Sequence, residues 1–171
     1  VIPHNDIEMV AQRATERGKT HTQVWFMIAG IYSMYGDFAP IRELIAMLDA
    51  NPQLHVYVDD AHAMAWTGFH GQGYALQCGP LHPRMLVSTS LAKGYGVCGG
   101  AIVCNDANQR DFIRTCGDTF VFSGPPQPAT LGAAIFRITY GGTAIDVPAT
   151  QATGPSRVDT RNLGTFDSEV W

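Results

Sequence analysis

The stretch "RMLVSTSLAKGYGVCGGAIVC", residues 84–104, allows two incompatible interpretations, and the choice between them decides the fold. Gly94, Gly96 and Gly99 form the pattern G-x-G-x-x-G after an apolar run, which is typical of a dinucleotide-binding turn. Such a site needs a helix directly after the glycines, because the helix N-terminus binds the pyrophosphate. Here a second apolar run, "GAIVC", follows instead. The pattern therefore favours a chain reversal between two strands.

Lys93 indicates a different function for the same stretch. The chain has 11 lysines and arginines, of which only Lys19 and Lys93 are lysines, and no other charged residue occurs between Met85 and Asn105. An amine in apolar surroundings loses its proton more readily and becomes a nucleophile for carbonyl carbons. We therefore interpret Lys93 as a covalent anchor for a carbonyl cofactor.

Composition excludes several classes of function. The 171 residues are 46% hydrophobic and 15% charged, which indicates a packed chain of one domain or part of a larger protein. A net charge of −4 argues against a nucleic-acid or anionic-membrane surface. No apolar run approaches the roughly 18 residues of a membrane span. The four cysteines form no C-x-x-C pair, which predicts free thiols and a cytoplasmic protein.

Apolar patterns predict strands that alternate with helices, and hence an α/β fold with a mostly parallel sheet. The strand in residues 22–30 is expected to be buried on both faces. Asn5 or Asp6, Pro40, and Asn105 or Asp106 are expected to begin helices. Helices are predicted in residues 4–18, 40–50 and 105–116 and after Pro128, and strands in 22–30, 54–60, 84–90, 100–104 and 119–123.

The character of the sequence changes after Arg137, where scattered Gly, Pro and Thr replace any regular apolar period. This change predicts two parts. Residues 1–136 would form a partial cofactor-binding domain, and residues 137–171 an extended or disordered tail.

Polar side chains follow two predicted strands, where α/β sheets bind their ligands. Pyridoxal phosphate chemistry needs a lysine, a carboxylate that keeps the pyridine nitrogen protonated, a donor near the ring phenol oxygen, and groups that hold the phosphate. Asp59 or Asp60 could supply the carboxylate, His62 the donor and Ser90 a phosphate contact. We expect Asp60 to cap the turn that follows the strand.

A metal centre is the competing interpretation of the same segment. Asp59, Asp60, His62 and His70 are suitable ligand types for a hydrolase metal. No second cluster of His or Asp lies nearby, and the interpretation leaves Lys93 without a role. The sequence therefore predicts no metal.

Five ordered motifs resemble the α-oxoamine synthase group of pyridoxal phosphate enzymes, within the fold-type-I, aminotransferase class I/II superfamily. They cover roughly residues 3–136. They are "HND" (4–6), "GIYSMYGDFAPIRELIAML" (30–48), "VYVDDAHAMAWTGFHGQGY" (56–74), "STSLAKGYGVCGG" (88–100) and "FSGPPQPATLGAA" (122–134).

The resemblance implies a role for each matching residue. Lys93 would bind the cofactor aldehyde and act as the base that removes the substrate α-proton, Asp59 would face the pyridine nitrogen, and His62 would approach the phenol oxygen. Ser90 stands at a phosphate-binding position, and Ser33 lies on a loop facing the cofactor.

Ser123 matches a hydroxyl that reaches the phosphate of a neighbouring subunit, which implies a homodimer with shared active sites. Here Gly124 follows it in place of a second hydroxyl residue, and Tyr35 replaces an acidic or glycine residue.

The activity implied is condensation of an amino acid with an acyl thioester, usually acyl-CoA, with loss of CO2. A class I/II aminotransferase remains the alternative, because Lys93 and Asp59 would serve both reactions. The segments expected upstream and in a C-terminal domain are not found, so the chain is expected to be a central fragment. A truncated, non-catalytic member of the family is therefore a further alternative.

Overall fold

The computed structural model describes residues 2–140, with the backbone alone for residues 135–140. Helices and strands alternate through the first half of the chain, and helices follow the last strand. The helices are α1 (Ile7–Gly18), α2 (Ile41–Ala50), α3 (Tyr74–Cys78), α4 (Ala107–Cys116), α5 (Asp118–Val121) and α6 (Pro128–Tyr140); the strands are β1 (Val24–Ala29), β2 (Leu54–Asp59), β3 (Met85–Ser90) and β4 (Gly100–Val103); a 3₁₀ turn spans Phe69–Gly71.

The four strands form one sheet in the order β1-β2-β3-β4. The β1–β2 and β2–β3 pairs are parallel, and β4 runs antiparallel to β3. The predicted α/β fold with a mostly parallel sheet is confirmed. Gly94, Gly96 and Gly99 lie in the loop that reverses the chain from β3 to β4, and no helix follows them. This connection is incompatible with a dinucleotide-binding turn.

The hydrophobic core lies on one face of the sheet. The apolar positions of α2 recur at helical spacing, and Ile41, Leu44 and Leu48 are fully buried against the strands. Alternation along the strands places their partners on the same face. These partners are Leu54, Val56 and Val58 of β2, Met85 and Val87 of β3, and Ile28 of β1.

The prediction that β1 is buried on both faces is wrong. Trp25 is 42% exposed and Met27 is 70% exposed. Both side chains lie on the face opposite Ile28, because side chains alternate along a strand. In the described part of the chain, the core cluster takes its helical members from α1, α2 and α3, and its strand members share the face of Ile28. An apolar run does not reveal whether one or two layers cover a sheet.

The helix starts follow the predicted capping. Asp6 accepts a hydrogen bond from the Met9 amide at the start of α1, and Asp106 accepts one from the Asn108 amide at the start of α4. Pro40 directly precedes α2.

The short strand predicted in residues 119–123 is wrong, because the helix α5 occupies most of this segment. Only Gly117 separates α5 from α4, and the backbone of this segment forms hydrogen bonds within its own turn. The amides of Phe120 and Val121 donate to the Gly117 carbonyl. The helix predicted after Pro128 is α6, which extends to Tyr140, past the predicted domain boundary. The remainder of the predicted tail, residues 141–171, lies outside the described residues.

Candidate active site

The carboxyl ends of the parallel strands bring the predicted side chains to one edge of the sheet. Ala29 of β1 pairs with Asp59 of β2, and Asp59 pairs with Ser88 of β3. Paired residues lie on the same face, and side chains two residues apart on a strand share a face. Asp59, Ser88 and Ser90 therefore lie on one face of the sheet, opposite the hydrophobic core.

Lys93 and His62 meet directly at this edge. The Lys93 Nζ lies 2.7 Å from the His62 Nε2, although 31 positions separate them in the sequence. His62 stands in the turn after β2, and Lys93 in the loop from β3 to β4. The Leu91 amide donates to the Gly99 carbonyl at 2.9 Å and holds the base of that loop closed. Two loops from neighbouring strands thus converge on one amine–imidazole pair.

Close backbone packing requires glycine beside Lys93. A Cβ added to Gly94 would lie 2.5 Å from the Ala65 Cβ and 2.6 Å from the Met64 carbonyl oxygen. Ala65 itself has φ +81°, a conformation that L-residues adopt only with strain. The motif glycine therefore lets the Lys93 loop approach the His62 turn.

The two adjacent aspartates have different environments. Asp59 is exposed, and its Oδ1 accepts a hydrogen bond from the Ala61 amide at 3.0 Å. Asp60 is fully buried, and its Oδ2 accepts from the Ala75 amide of α3 at 3.1 Å. The prediction that the Asp60 side chain caps the following turn is wrong, because Asp59 makes that contact. Asp59 is therefore the exposed carboxylate of the two, on the same face of the sheet as Ser88 and Ser90.

Burial raises the pKa of Asp60 from 3.8 to about 6. Hydrogen bonds from the Ala75 and Tyr74 amides lower the pKa of this carboxyl, and the negative charge of Asp59 raises it further. The dominant influence is the loss of water around the carboxylate.

The three predicted serines lie in different places. The Ser90 Oγ accepts from the Ala92 amide at 3.2 Å at the end of β3, beside Lys93. Ser33 is exposed in the turn after β1, at the same edge of the sheet. Ser123 follows α5 and donates to the Thr119 carbonyl. Within residues 2–140, neither Ser33 nor Ser123 forms a hydrogen bond with Lys93, His62 or Asp59.

Sequence reasoning missed the glycines that surround Asp60. A Cβ added to Gly30, which follows β1, or to Gly73, which precedes α3, would collide with the Asp60 carboxylate. A glycine directly after a strand was the available signal, but no local pattern identifies the distant side chain that needs the space. The Trp66 indole also donates to the His62 carbonyl at 2.5 Å, which ties down the His62 turn.

Residues 2–140 bring no three His, Cys, Asp or Glu side chains into a group that could hold a metal ion. None of the helices within them is both long and apolar enough to cross a bilayer.

The fold and the site together define the class of protein. The family described as aminotransferase class I and II matches residues 2–142, and the chain belongs to this family.

Relatives of this chain include α-oxoamine synthases, which confirms the resemblance indicated by the five sequence motifs. The 5-aminolevulinate synthase of Rhodobacter capsulatus is 37% identical over 114 residues, which are 67% of this chain and 27% of that protein. The 8-amino-7-oxononanoate synthase of Bordetella petrii is 34% identical over 130 residues, which are 75% of this chain and 32% of that protein. The chain thus spans about a third or less of the length of these curated relatives.

A solved structure gives the same result at the level of the fold. The serine palmitoyltransferase of S. paucimobilis with a bound PLP–myriocin aldimine superimposes with a TM-score of 0.69 and 27% identity. The match covers 82% of this chain and 36% of that one.

Proposed function

We propose that this chain forms part of a pyridoxal phosphate-dependent acyltransferase that condenses an amino acid with an acyl-CoA thioester and releases CO2. The observation that carries the proposal is the 2.7 Å contact between Lys93 and His62. It lies at the sheet edge where Asp59 and Ser90 share a face. Relatives named 5-aminolevulinate synthase and 8-amino-7-oxononanoate synthase, and a serine palmitoyltransferase structure containing PLP, support the same chemistry.

The residues fit the cofactor on chemical grounds. Lys93 supplies the amine that would hold the aldehyde carbon, and the exposed Asp59 supplies a carboxylate for the pyridine nitrogen. His62 would contact the phenol oxygen, and Ser90 and Ser33 would contribute hydroxyls. Gly94 leaves the room that brings the lysine loop against the histidine turn. When bound, pyridoxal phosphate would supply an electron sink for the carbanion formed at the substrate α-carbon.

The proton chemistry would fall to Lys93 and His62. An amine attacks an aldehyde only in its unprotonated form. The His62 Nε2 lies within hydrogen-bonding distance of the amine, so it can accept a proton from Lys93 and return it. The free Lys93 amine would also be the base that removes the substrate α-proton.

The Ser123 contact to a second subunit and the homodimer belong to the same proposal. Within the described residues, the Ser123 hydroxyl donates to the Thr119 carbonyl of α5, and its role toward a neighbouring subunit is part of the proposal. The expected cytoplasmic location and the division of the chain at residues 136–137 likewise stay predictions.

Borohydride trapping tests the proposal at the single reactive amine. The chain is incubated with pyridoxal phosphate, its visible absorption is recorded, and borohydride is added before peptide mass analysis. We expect a visible band and a phosphopyridoxyl group on Lys93. Lys93→Ala should lose both, whereas Lys19→Ala, the control at the other lysine of the chain, should keep both.

The outcomes separate the alternatives. A colourless wild-type chain without the modification would refute the proposal and favour a non-catalytic member of the family. Conversion of the bound cofactor to its amine form by an amino acid alone, without acyl-CoA, would identify an aminotransferase. Release of CO2 that depends on both substrates would identify the synthase.

A further inference from the structure

We infer that Asp60 is a positioning residue of this site, whose buried carboxylate joins the end of β2 to the start of α3 and thereby fixes the turn that carries Asp59 and His62. The inference rests on the function proposed for that turn. Asp60 stands between the two residues in the sequence. Its amide donates to the Ser88 carbonyl at 2.8 Å, and its carbonyl accepts from the Ala63 amide at 3.0 Å. Its backbone therefore already ties the turn to β3.

The side chain extends this connection to α3. The Asp60 Oδ2 accepts from the Ala75 amide at 3.1 Å, across 15 positions of sequence. The Tyr74 amide, at the first position of α3, also hydrogen-bonds to the Asp60 carboxyl. Loss of the Asp60 carboxylate would remove these hydrogen bonds between the turn and α3.

Stability alone does not explain a carboxylate at this position. Asp60 is 0% exposed, none of the ion pairs found within residues 2–140 includes it, and its Oδ1 has no hydrogen-bond partner there. Burying a carboxylate without a cation is costly, and apolar side chains of similar volume are often at least as stable. Departures from such rules concentrate at functional sites. The geometry of Asp60 therefore points to a role in placing its neighbours.

The surrounding backbone is shaped for this carboxylate. Gly30, at the end of β1, and Gly73, with φ +93° directly before α3, approach its two oxygens so closely that a Cβ on either would collide with them. Two glycines, one before β2 in the chain and one after it, thus leave room for the same side chain. A displaced carboxylate would move the turn between Asp59 and His62.

Amide hydrogen exchange on the cofactor-free chain tests the inference. The Ala61 amide reports on Asp59, because it donates to the Asp59 Oδ1. In Asp60→Ala we expect exchange at Ala75 and at Ala61 to accelerate by about tenfold or more, the loss that follows removal of a charged acceptor. Asp60→Asn keeps an acceptor oxygen and should stay within about threefold of the wild type at both amides.

A matched control removes a similar contact at the opposite edge of the sheet. The Asp106 side chain accepts a hydrogen bond from the Asn108 amide at 2.9 Å. Asp106 follows the end of β4, whose last residue, Val103, pairs with Val87 of β3. Asp106→Ala should accelerate exchange at Asn108 and leave Ala61 unchanged. If Asp60→Ala does not fold, Gly30→Ala displaces the same carboxylate from the β1 side and should accelerate the same two amides.

The ratio of the affinities for pyridoxal phosphate and for an analogue of it is a measurement that general destabilisation would not change. The wild type should bind pyridoxal phosphate more tightly than its analogue without the ring nitrogen, because Asp59 would face that nitrogen under the proposed function. Asp60→Ala should lose this preference, while Asp60→Asn and Asp106→Ala keep it.

The inference is overturned if the Ala61 amide of Asp60→Ala exchanges as slowly as that of the wild type. It is also overturned if Asp60→Ala still prefers pyridoxal phosphate to the analogue without the ring nitrogen. A wild type that binds neither aldehyde refutes the proposed function instead, and the exchange at Ala61 then decides the role of Asp60 alone.

Discussion

Replacing Asp60 with asparagine is expected to change how the free energy of unfolding depends on pH. Burial raises the pKa of this carboxyl from 3.8 in the unfolded chain to about 6 in the native state. Between these values the native protein holds a proton that the unfolded chain has lost. Stability from this group is therefore fully present below about pH 4 and is lost as the pH rises through about 6. Asparagine does not titrate, so the variant should lack this loss.

The pKa difference sets the magnitude. One pKa unit corresponds to about 1.4 kcal/mol, so the rise from 3.8 to about 6 corresponds to at most about 3 kcal/mol. The contribution of the other titrating groups is common to both proteins. The free energy of unfolding of the wild type minus that of Asp60→Asn should thus fall by up to about 3 kcal/mol between pH 3 and pH 7.

Urea denaturation at a series of pH values measures this difference curve. Asp118→Asn, which removes an exposed carboxylate, is the control and should give a nearly flat curve. A flat curve for Asp60→Asn, or one that rises with pH, would refute the reasoning. Either result would mean that a cation or water compensates the buried charge.

Three further substitutions test the packing around the site and the sheet. Ala65→Gly should raise the free energy of unfolding by up to about 1 kcal/mol, because glycine adopts φ +81° without strain; a lower melting temperature would contradict this. Gly94→Ala should lower borohydride trapping at Lys93 severalfold more than it lowers stability, since the new methyl group would meet Ala65; unchanged trapping would show that the loop adapts. Arg84→Met should destabilise the chain by about 2 kcal/mol in chemical denaturation, because Arg84 donates to the Asn51 carbonyl at 2.6 Å and the Leu54 carbonyl at 3.1 Å; an effect below about 0.5 kcal/mol would mean that water replaces these bonds.

Local signals predicted much of the fold. Helical periodicity and capping residues located α1, α2 and α4, and the apolar runs located all four strands of the sheet. The short strand predicted in residues 119–123 failed because a β-rich segment needs a neighbouring strand edge, and its sequence contains no information about one. α3 is only five residues long and follows a turn rich in glycine, so its periodicity could not be detected.

The candidate site was predicted in part. The motifs predicted Lys93, His62 and Asp59 as site residues; the structure brings Lys93 against His62, and the register of the sheet places Asp59 and Ser90 on one face. The choice between the adjacent aspartates rested on the family resemblance. The structure supplies a physical distinction, because one carboxylate is exposed and the other is enclosed by Gly30 and Gly73. Ser123 bonds locally to the Thr119 carbonyl, and its role stays a prediction.

The sequence by itself determined which chemistry is proposed for this chain, since an isolated lysine, a strand-end carboxylate and ordered motifs are properties of local residue types and spacing. Only the tertiary structure decided which groups meet. Lys93 and His62 are 31 positions apart, and Asp60 reaches α3 across 15 positions. Contacts of this range depend on strand register and on backbone approach at glycines such as Gly94. Local sequence does not encode them, because they arise only when the separate elements pack together.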